Sequence, residues 1–210
     1  MVKGIKHIIF DLGGVLLNID YKLTEQAFVD ARIKNFPEIY SQLHQSSLID
    51  KFEMGMMPKE EFISTLQKAA ASPITEAQVL NAWNAMLLDL PVRRLQILQQ
   101  LQLYYDLFLL SNTNEIHEQA FNEIIMRTHG VPHIGVFFDK VYFSHRLGMR
   151  KPDKEIFIHV LEDNNLNPKE TLFIDDSPQH IAGASELGIQ TIFLEKGMTI
   201  ERDIFKAKAS

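Results

Sequence analysis

The sequence predicts a doubly wound α/β fold, a Rossmann-like parallel sheet with a small all-helical insertion after the first strand. Three observations lead there. Short apolar runs recur through the second half of the chain, each followed by a stretch of helical spacing, which is the alternation of a parallel sheet. The runs hold few polar residues, as strands buried on both faces require. Between residues 17 and 90 the apolar residues keep helical spacing, with no strand-like run among them.

Residues 1–11 read as the first strand. Lys6 and His7 are the only polar members from Ile5 to Phe10, and the run ends in Asp11, with Gly13 and Gly14 just beyond. Ligand sites of open α/β sheets lie at the carboxyl ends of strands. Glycines there let the backbone turn sharply or approach a ligand closely. An aspartate followed by glycines also simply starts turns, so this stretch alone leaves both readings open.

In the insertion, Leu23, Ala27 and Ala31 form one helical series, Phe36-Pro37 breaks it, and Leu43, Leu48 and Phe52 resume it. Met54 to Pro58 reads as a turn, with Pro58 near the first position of a new helix. Pro73 ends that helix, and Thr75 with Gln78 makes a capping box for the next. Pro91 opens a helix running to about Leu103. The remaining strands are Leu107–Leu110, Lys140–Phe143, Thr171–Ile174 and Gln190–Leu194. Helices are expected over 115–128, over 152–164 and from Pro178 to Leu187, where Gly188 follows as the C′ residue. His129 to Gly135 reads as a loop, and a final helix begins at Thr199 and frays from Lys206 to Ser210. The division is a core of 1–16 and 91–210 around an insertion of 17–90.

Composition narrows the function. The 210 residues carry a formal net charge of -6, with 46% hydrophobic and 23% charged residues. An acidic chain is a poor match for nucleic acid or an anionic membrane. There is no cysteine, which excludes disulfides, thiol nucleophiles and Cys-based metal sites. No apolar run is long enough to span a bilayer, and the N-terminal run is too short for a signal sequence. A cytoplasmic protein, monomeric or homodimeric, is expected.

Three strands end in polar residues at the ligand-binding edge: Asp11, then Ser111-Asn112, then Asp175-Asp176. Lys151 precedes a helix opened by Pro152. Each is ordinary alone, since a helix-start lysine is commonly solvated and Ser-Asn commonly caps. Together they suit phosphoryl transfer. Asp11 and Asp176 can share Mg²⁺, which prefers oxygen ligands and keeps several waters. Ser111 and the backbone N–H groups around Asn112 can bind phosphate oxygens. Lys151 can neutralise charge, and Asp11 can attack phosphorus to form an aspartyl-phosphate that water hydrolyses.

The set resembles the haloacid dehalogenase superfamily of hydrolases. The motifs stand in order: Phe10-Asp11-Leu12-Gly13-Gly14-Val15, Leu110-Ser111-Asn112-Thr113-Asn114, Arg150-Lys151-Pro152 and Phe173-Ile174-Asp175-Asp176-Ser177-Pro178. The insertion looks like the helical C1 cap of subclass I. Phe52-Glu53-Met54-Gly55 and Leu147-Gly148-Met149-Arg150-Lys151-Pro152 look like the small bacterial sugar-phosphate phosphatases that include α-D-glucose-1-phosphate phosphatase. The resemblance implies Asp11 as nucleophile and metal ligand, the carbonyl of Gly13 and Asp176 as further ligands, and Asp175 ligating or positioning metal-bound water. It implies Ser111 and Asn112 as phosphate binders and Lys151 as the catalytic lysine. The expected cofactor is Mg²⁺ and the expected substrate a small phosphorylated metabolite such as a hexose 1-phosphate.

One position departs from the pattern. Superfamily phosphatases mostly carry an aspartate two residues after the nucleophile as general acid/base, and here that residue is Gly13. Losing it is worth roughly 10²–10⁴-fold and weighs most on poor leaving groups, so esters with better leaving groups are favoured. His117 is a possible replacement acid if its helix turns it inward. Glu53, in the turn before Met54-Gly55, can accept hydrogen bonds from sugar hydroxyls or stand as an ordinary exposed glutamate. Two other readings compete. A 2-haloacid dehalogenase would need no metal and lacks the Asp175-Asp176 pair; a phosphate-metabolite-binding protein without turnover has Gly13 as its only support.

Overall fold

Five parallel strands form one sheet in the order β3-β2-β1-β4-β5. They are β1 (His7–Phe10), β2 (Asp106–Ser111), β3 (Lys140–Phe143), β4 (Thr171–Asp175) and β5 (Gln190–Phe193). The computed structural model describes residues 4–31, 47–70 and 72–206. The expected helix break at Phe36-Pro37, its resumption at Leu43 and the fraying tail beyond Lys206 lie outside them.

The two-residue period of the strands sorts the core into two layers. Ile8, Phe10, Leu107, Leu109 and Ile174 belong to one buried cluster. Ile9, Phe108, Leu110 and Phe173 belong to the other, with Phe157 and Val160 packed among them. The central strand β1 pairs with β2 on one side and β4 on the other, His7 facing both Asp106 and Thr171. That register brings Asp11, Ser111 and Asp175 to the same edge of three neighbouring strands. The chain reverses its direction of winding between β1 and β4, the position where open α/β sheets bind ligands.

The helices between and around the strands are α1 (Tyr21–Asp30), α2 (Leu48–Glu53), α3 (Lys59–Ala69), α4 (Glu76–Asn84), α5 (Val92–Leu101), α6 (Glu115–His129), α7 (Ser144–Leu147), α8 (Lys154–Asp163) and α9 (Pro178–Ser185). Helices α1 to α4 share a hydrophobic cluster of their own. Phe28, Phe52, Phe62, Leu66, Val79 and Trp83 are buried in it. Phe52 stacks on Phe62 at 4.1 Å, and Trp83 meets Phe62 edge-on at 4.8 Å. Ile116 of α6 closes the cluster from the sheet side. The two chain segments that enter and leave this helical unit run together: the Asn18 N–H donates to the Asp89 carbonyl at 2.9 Å, and the Leu88 N–H to the Asn18 carbonyl at 3.0 Å.

Thr75 and Gln78 form the expected capping box on α4. Pro58 and Pro91 stand one residue earlier than the first helical position, as N-caps of α3 and α5. Three short elements differ from expectation. Ser144–Leu147 forms one helical turn, Ile134–Phe137 a 3₁₀ turn, and the final helix is a single π-turn over Ile200–Ile204. None is long enough to impose a hydrophobic period. Among the described residues no helix is long and apolar enough to cross a membrane.

Candidate active site

Asp11 leaves β1 with its N–H still donating to the Ile174 carbonyl at 2.9 Å, so the β1–β4 ladder fixes where its side chain begins. The next residues fold into a tight turn. The N–H groups of Leu16 and Leu17 both donate to the Leu12 carbonyl, and the Gly14 N–H donates to the Leu17 carbonyl. Gly14 has φ +74°, and a Cβ there would lie 2.1 Å from Asp176 Oδ2. Only glycine satisfies both demands. This places Asp176 directly over the turn that follows Asp11.

Lys151 has no exposed surface. Its Nζ donates to Asp11 Oδ1 and to Asp175 Oδ2, each at 2.7 Å. Asp175 is equally buried and receives two more donors, the Ser177 N–H at 2.8 Å and His180 Nδ1 at 3.0 Å. The backbone of Lys151 is pinned by Asn112: its N–H donates to Asn112 Oδ1 at 2.9 Å, and Asn112 Nδ2 donates to its carbonyl at 2.8 Å. A parallel clasp joins the ends of β2 and β3, where the Thr113 N–H donates to Ser144 Oγ and Ser144 Oγ–H donates to the Thr113 carbonyl. Ser111 is buried, with its Oγ no closer than 3.5 Å to the Asn112 carbonyl.

The charges are unevenly tuned. Burial raises Asp11 to about 7, with Lys151 opposing and Asp175 and Asp176 adding to the rise. Burial acts in the same upward direction on Asp175, but Lys151 and His180 outweigh it and hold that carboxyl at about 2. Asp176 stands exposed at the mouth, and desolvation by the surrounding chain together with the Asp175 charge lifts it to about 6. Burial disfavours the Lys151 ammonium, yet Asp11 and Asp175 raise its pKa. The centre is therefore short of positive charge.

A metal ion suits that shortage. One ligand oxygen from each of Asp11, Asp175 and Asp176 lies within 4.8 Å of the others. The donor set is all oxygen, as Mg²⁺ prefers. The absence of a Cβ at Gly14 leaves room for that carboxylate over the turn that follows Asp11.

Above this centre is a pocket of about 80 Å³. Gly13, Ser111 and Asn112 line it from the sheet edge, and Glu53, Trp83 and His117 from the helices. Glu53 ends α2 rather than lying in the turn beyond it. Its Oε2 accepts from Arg150 Nη2 at 2.9 Å, and Arg150 also pairs with Asp50. Burial raises the Glu53 pKa, with Arg150 opposing. His117 does turn inward, but both ring nitrogens have partners. Nε2 lies 3.1 Å from the Trp83 carbonyl, which only accepts, so Nε2 carries the proton. Nδ1 then accepts from Asn114 Nδ2 at 3.2 Å. Burial lowers the imidazole to about 4. A neutral ring with its one proton already bonded is a poor general acid.

Sequence reasoning assembled Asp11, Ser111, Asn112, Lys151, Asp175 and Asp176, and the fold brings all of them to one edge. It missed His180, Arg150 and Trp83. His180 had a signal: it follows Asp175 by five residues on the helix that Pro178 opens. Arg150 and Trp83 had none, because their partners lie far away in the chain.

A doubly wound sheet with an acidic cluster and a buried lysine at its switch point is the arrangement of an α/β enzyme that works through carboxylates. The chain belongs to the haloacid dehalogenase-like hydrolases, whose family pattern matches residues 5–188. It is 32% identical over 193 residues to a D-ribitol-5-phosphate phosphatase of Bacteroides thetaiotaomicron, covering 92% of this chain and 93% of that one. A haloacid dehalogenase family enzyme of the same organism, solved with magnesium and inorganic phosphate, superposes with a TM-score of 0.82 at 34% identity, over 92% of this chain and 96% of that one. A predicted hydrolase of this type from Porphyromonas gingivalis superposes with a TM-score of 0.82 at 32% identity, over 96% of each chain.

Proposed function

We propose that the chain is a Mg²⁺-dependent phosphatase that hydrolyses phosphate esters of small sugars or sugar alcohols, with Asp11 as nucleophile. The observation that carries this reading is the ammonium of Lys151 held 2.7 Å from both Asp11 and Asp175 beside a third carboxylate. An Asp11 oxygen attacks phosphorus, the bond to the leaving oxygen breaks, and an aspartyl-phosphate forms. Water then attacks the same phosphorus, releasing phosphate and restoring the Asp11 carboxylate. Lys151 holds Asp11 in line and offsets charge on the transferred group. Ser111 Oγ and the backbone N–H of Asn112 bind phosphate oxygens, while the Asn112 side chain fixes Lys151. Asp11, Asp175, Asp176 and the carbonyl of Gly13 would hold Mg²⁺. When bound, the ion supplies positive charge that lets a phosphate dianion approach a carboxylate.

We assign residues 17–90 as a C1-type cap on a core of 1–16 and 91–210, supported by their separate hydrophobic cluster. The relative's activity supports sugar-alcohol phosphates as substrates. A second reading, hexose 1-phosphates, is favoured by Gly13, because no carboxyl stands there to protonate a poor leaving group. The acidic, cysteine-free composition supports a cytoplasmic enzyme of small metabolites, acting as a monomer or homodimer.

Phosphate release from ribitol 5-phosphate, glucose 1-phosphate and p-nitrophenyl phosphate, with Mg²⁺ and with EDTA, tests the reading. Release with the metal and none with EDTA is expected. No release from any of them would sink it.

A further inference from the structure

The segment from Thr199 to Phe205 follows every residue assigned to the site, yet it packs against the turn that carries Asp11. Its own bonds close it. The Thr199 N–H donates to Asp203 Oδ2 at 2.7 Å, the Asp203 N–H to the Thr199 carbonyl at 2.9 Å and the Phe205 N–H to the Ile200 carbonyl at 2.7 Å. Ile200 has no exposed surface and shares a buried cluster with Phe10, Val15 and Leu16. Phe205 lies against Phe10, the residue before Asp11, with ring centroids 6.2 Å apart.

A second contact reaches the far end of the same turn. Arg94 of α5 is only 3% exposed. A buried guanidinium is costly unless its donors are met. Arg94 Nη1 donates to the Leu16 carbonyl at 2.9 Å, while Nε and Nη2 donate to the two carboxylate oxygens of Glu201 at 3.0 and 3.4 Å. A two-point bond of this kind fixes the plane of the guanidinium as well as its place. Glu201 thereby aims Arg94 at Leu16. The N–H groups of Gly14, Leu16 and Leu17 bond within the turn itself, whereas Arg94 ties the turn to a helix of the core. The terminal segment therefore acts on both ends of the stretch from Phe10 to Leu16.

We propose that residues 199–205 are a positioning strap: Phe205 against Phe10, and Glu201 acting through Arg94 on Leu16, hold the Asp11 turn in register for attack on phosphorus. The proposal rests on the reading above that Asp11 is the nucleophile of a phosphate-ester hydrolase. Attack needs the reacting atoms about 3–3.5 Å apart, and a misplacement of about 1 Å costs up to about 10²-fold. Lys151 orients the Asp11 carboxylate from the sheet edge, and the strap fixes the backbone on either side of it. Arg94, Glu201 and Phe205 are not among the residues lining the pocket, so losing their contacts should lower kcat and spare KM.

Hydrogen exchange read by mass spectrometry on the full chain in EDTA follows the turn without relying on activity. Arg94→Met should speed exchange of the segment Asp11–Leu17 at least tenfold and leave Thr171–Asp175 of β4 unchanged. Phe205→Leu, which strands no buried charge, should act in the same direction by at least threefold and decides the matter if Arg94→Met does not fold. With Mg²⁺ and p-nitrophenyl phosphate, either variant should lower kcat by at least fivefold with KM within about twofold of wild type. Exchange at the turn that neither variant alters, or exchange that quickens equally in β4, would overturn the proposal. So would a loosened turn with kcat unchanged. If the turn loosens as described while the wild-type protein releases phosphate from no ester, the phosphatase reading fails and the strap's hold on the turn stands.

Discussion

At the scale of residues, Lys151 and its two aspartates set what the site can do, and Gly13 sets what it lacks. A Cβ at Gly13 would sit 3.1 Å from Ile19 Cδ1, the far end of a flexible side chain, and the backbone there is not left-handed. Gly13→Asp is therefore tolerable. If the absent acid limits the rate, it should raise kcat for ribitol 5-phosphate by about 10²-fold relative to p-nitrophenyl phosphate. Parallel rates on the two substrates for both proteins would count against this. His117 makes a different prediction. Its pKa of about 4 in the folded protein lies below the ordinary histidine value of 6.5. Between those values the unfolded chain takes up a proton that the native state refuses, so stability falls as pH falls, by about 3 kcal/mol in all. His117→Gln should flatten that decline in urea unfolding at pH 7 and pH 4.5; an unchanged decline would contradict it. The acidic residues and Lys151 were legible in the sequence because each follows an apolar run or precedes a proline. The pair of hydrogen bonds between Asn112 and Lys151 was not, since it joins residues 39 apart through a side-chain orientation that no local pattern encodes.

Among the elements, the strands were the most legible. Residues buried on both faces leave continuous apolar runs, and four of the five strands agree with their expected spans to within a residue at each end. The first, read as residues 1–11, is regular over His7–Phe10 among the described residues. Helix α4 was legible at its start, because Thr75 and Gln78 satisfy orphan N–H groups reciprocally. Thr75→Ala should cost about 1 kcal/mol of stability in denaturant unfolding. A loss near zero would mean that packing by Val79 and Trp83 alone defines that helix end. Helix α7 and the 3₁₀ turn at Ile134–Phe137 escaped notice for one reason. A single turn takes its conformation from what it packs against, and the sequence carries that information only after folding.

For the whole molecule, the sheet order collects residues from distant parts of the chain at one edge and crowds three carboxylates there. Without metal that crowding opposes folding. Above pH 7, Asp176 pays for a folded pKa lifted to about 6, so Asp176→Asn should stabilise the metal-free protein, by about 1 kcal/mol after discounting for its exposure. Mg²⁺ at about 100 times its Kd should stabilise the wild type by about 2.7 kcal/mol, a rise of several degrees in Tm. Thermal melts of both proteins with Mg²⁺ and with EDTA check the two signs together. A wild-type Tm indifferent to EDTA would refute the metal assignment. Fold class was legible at this scale from alternation alone, whereas the pairing of Glu53 with Arg150 and the placing of Trp83 over the site depend on how the helical unit sits on the sheet. The measurement that bears most directly on the central claim is a rapid acid quench during turnover of p-nitrophenyl phosphate, followed by peptide mapping. A phosphoryl group on Asp11, absent from Asp11→Asn along with phosphate release, is the predicted result. Phosphate released by Asp11→Asn at the wild-type rate, or a phosphoryl group on any other residue, would contradict it.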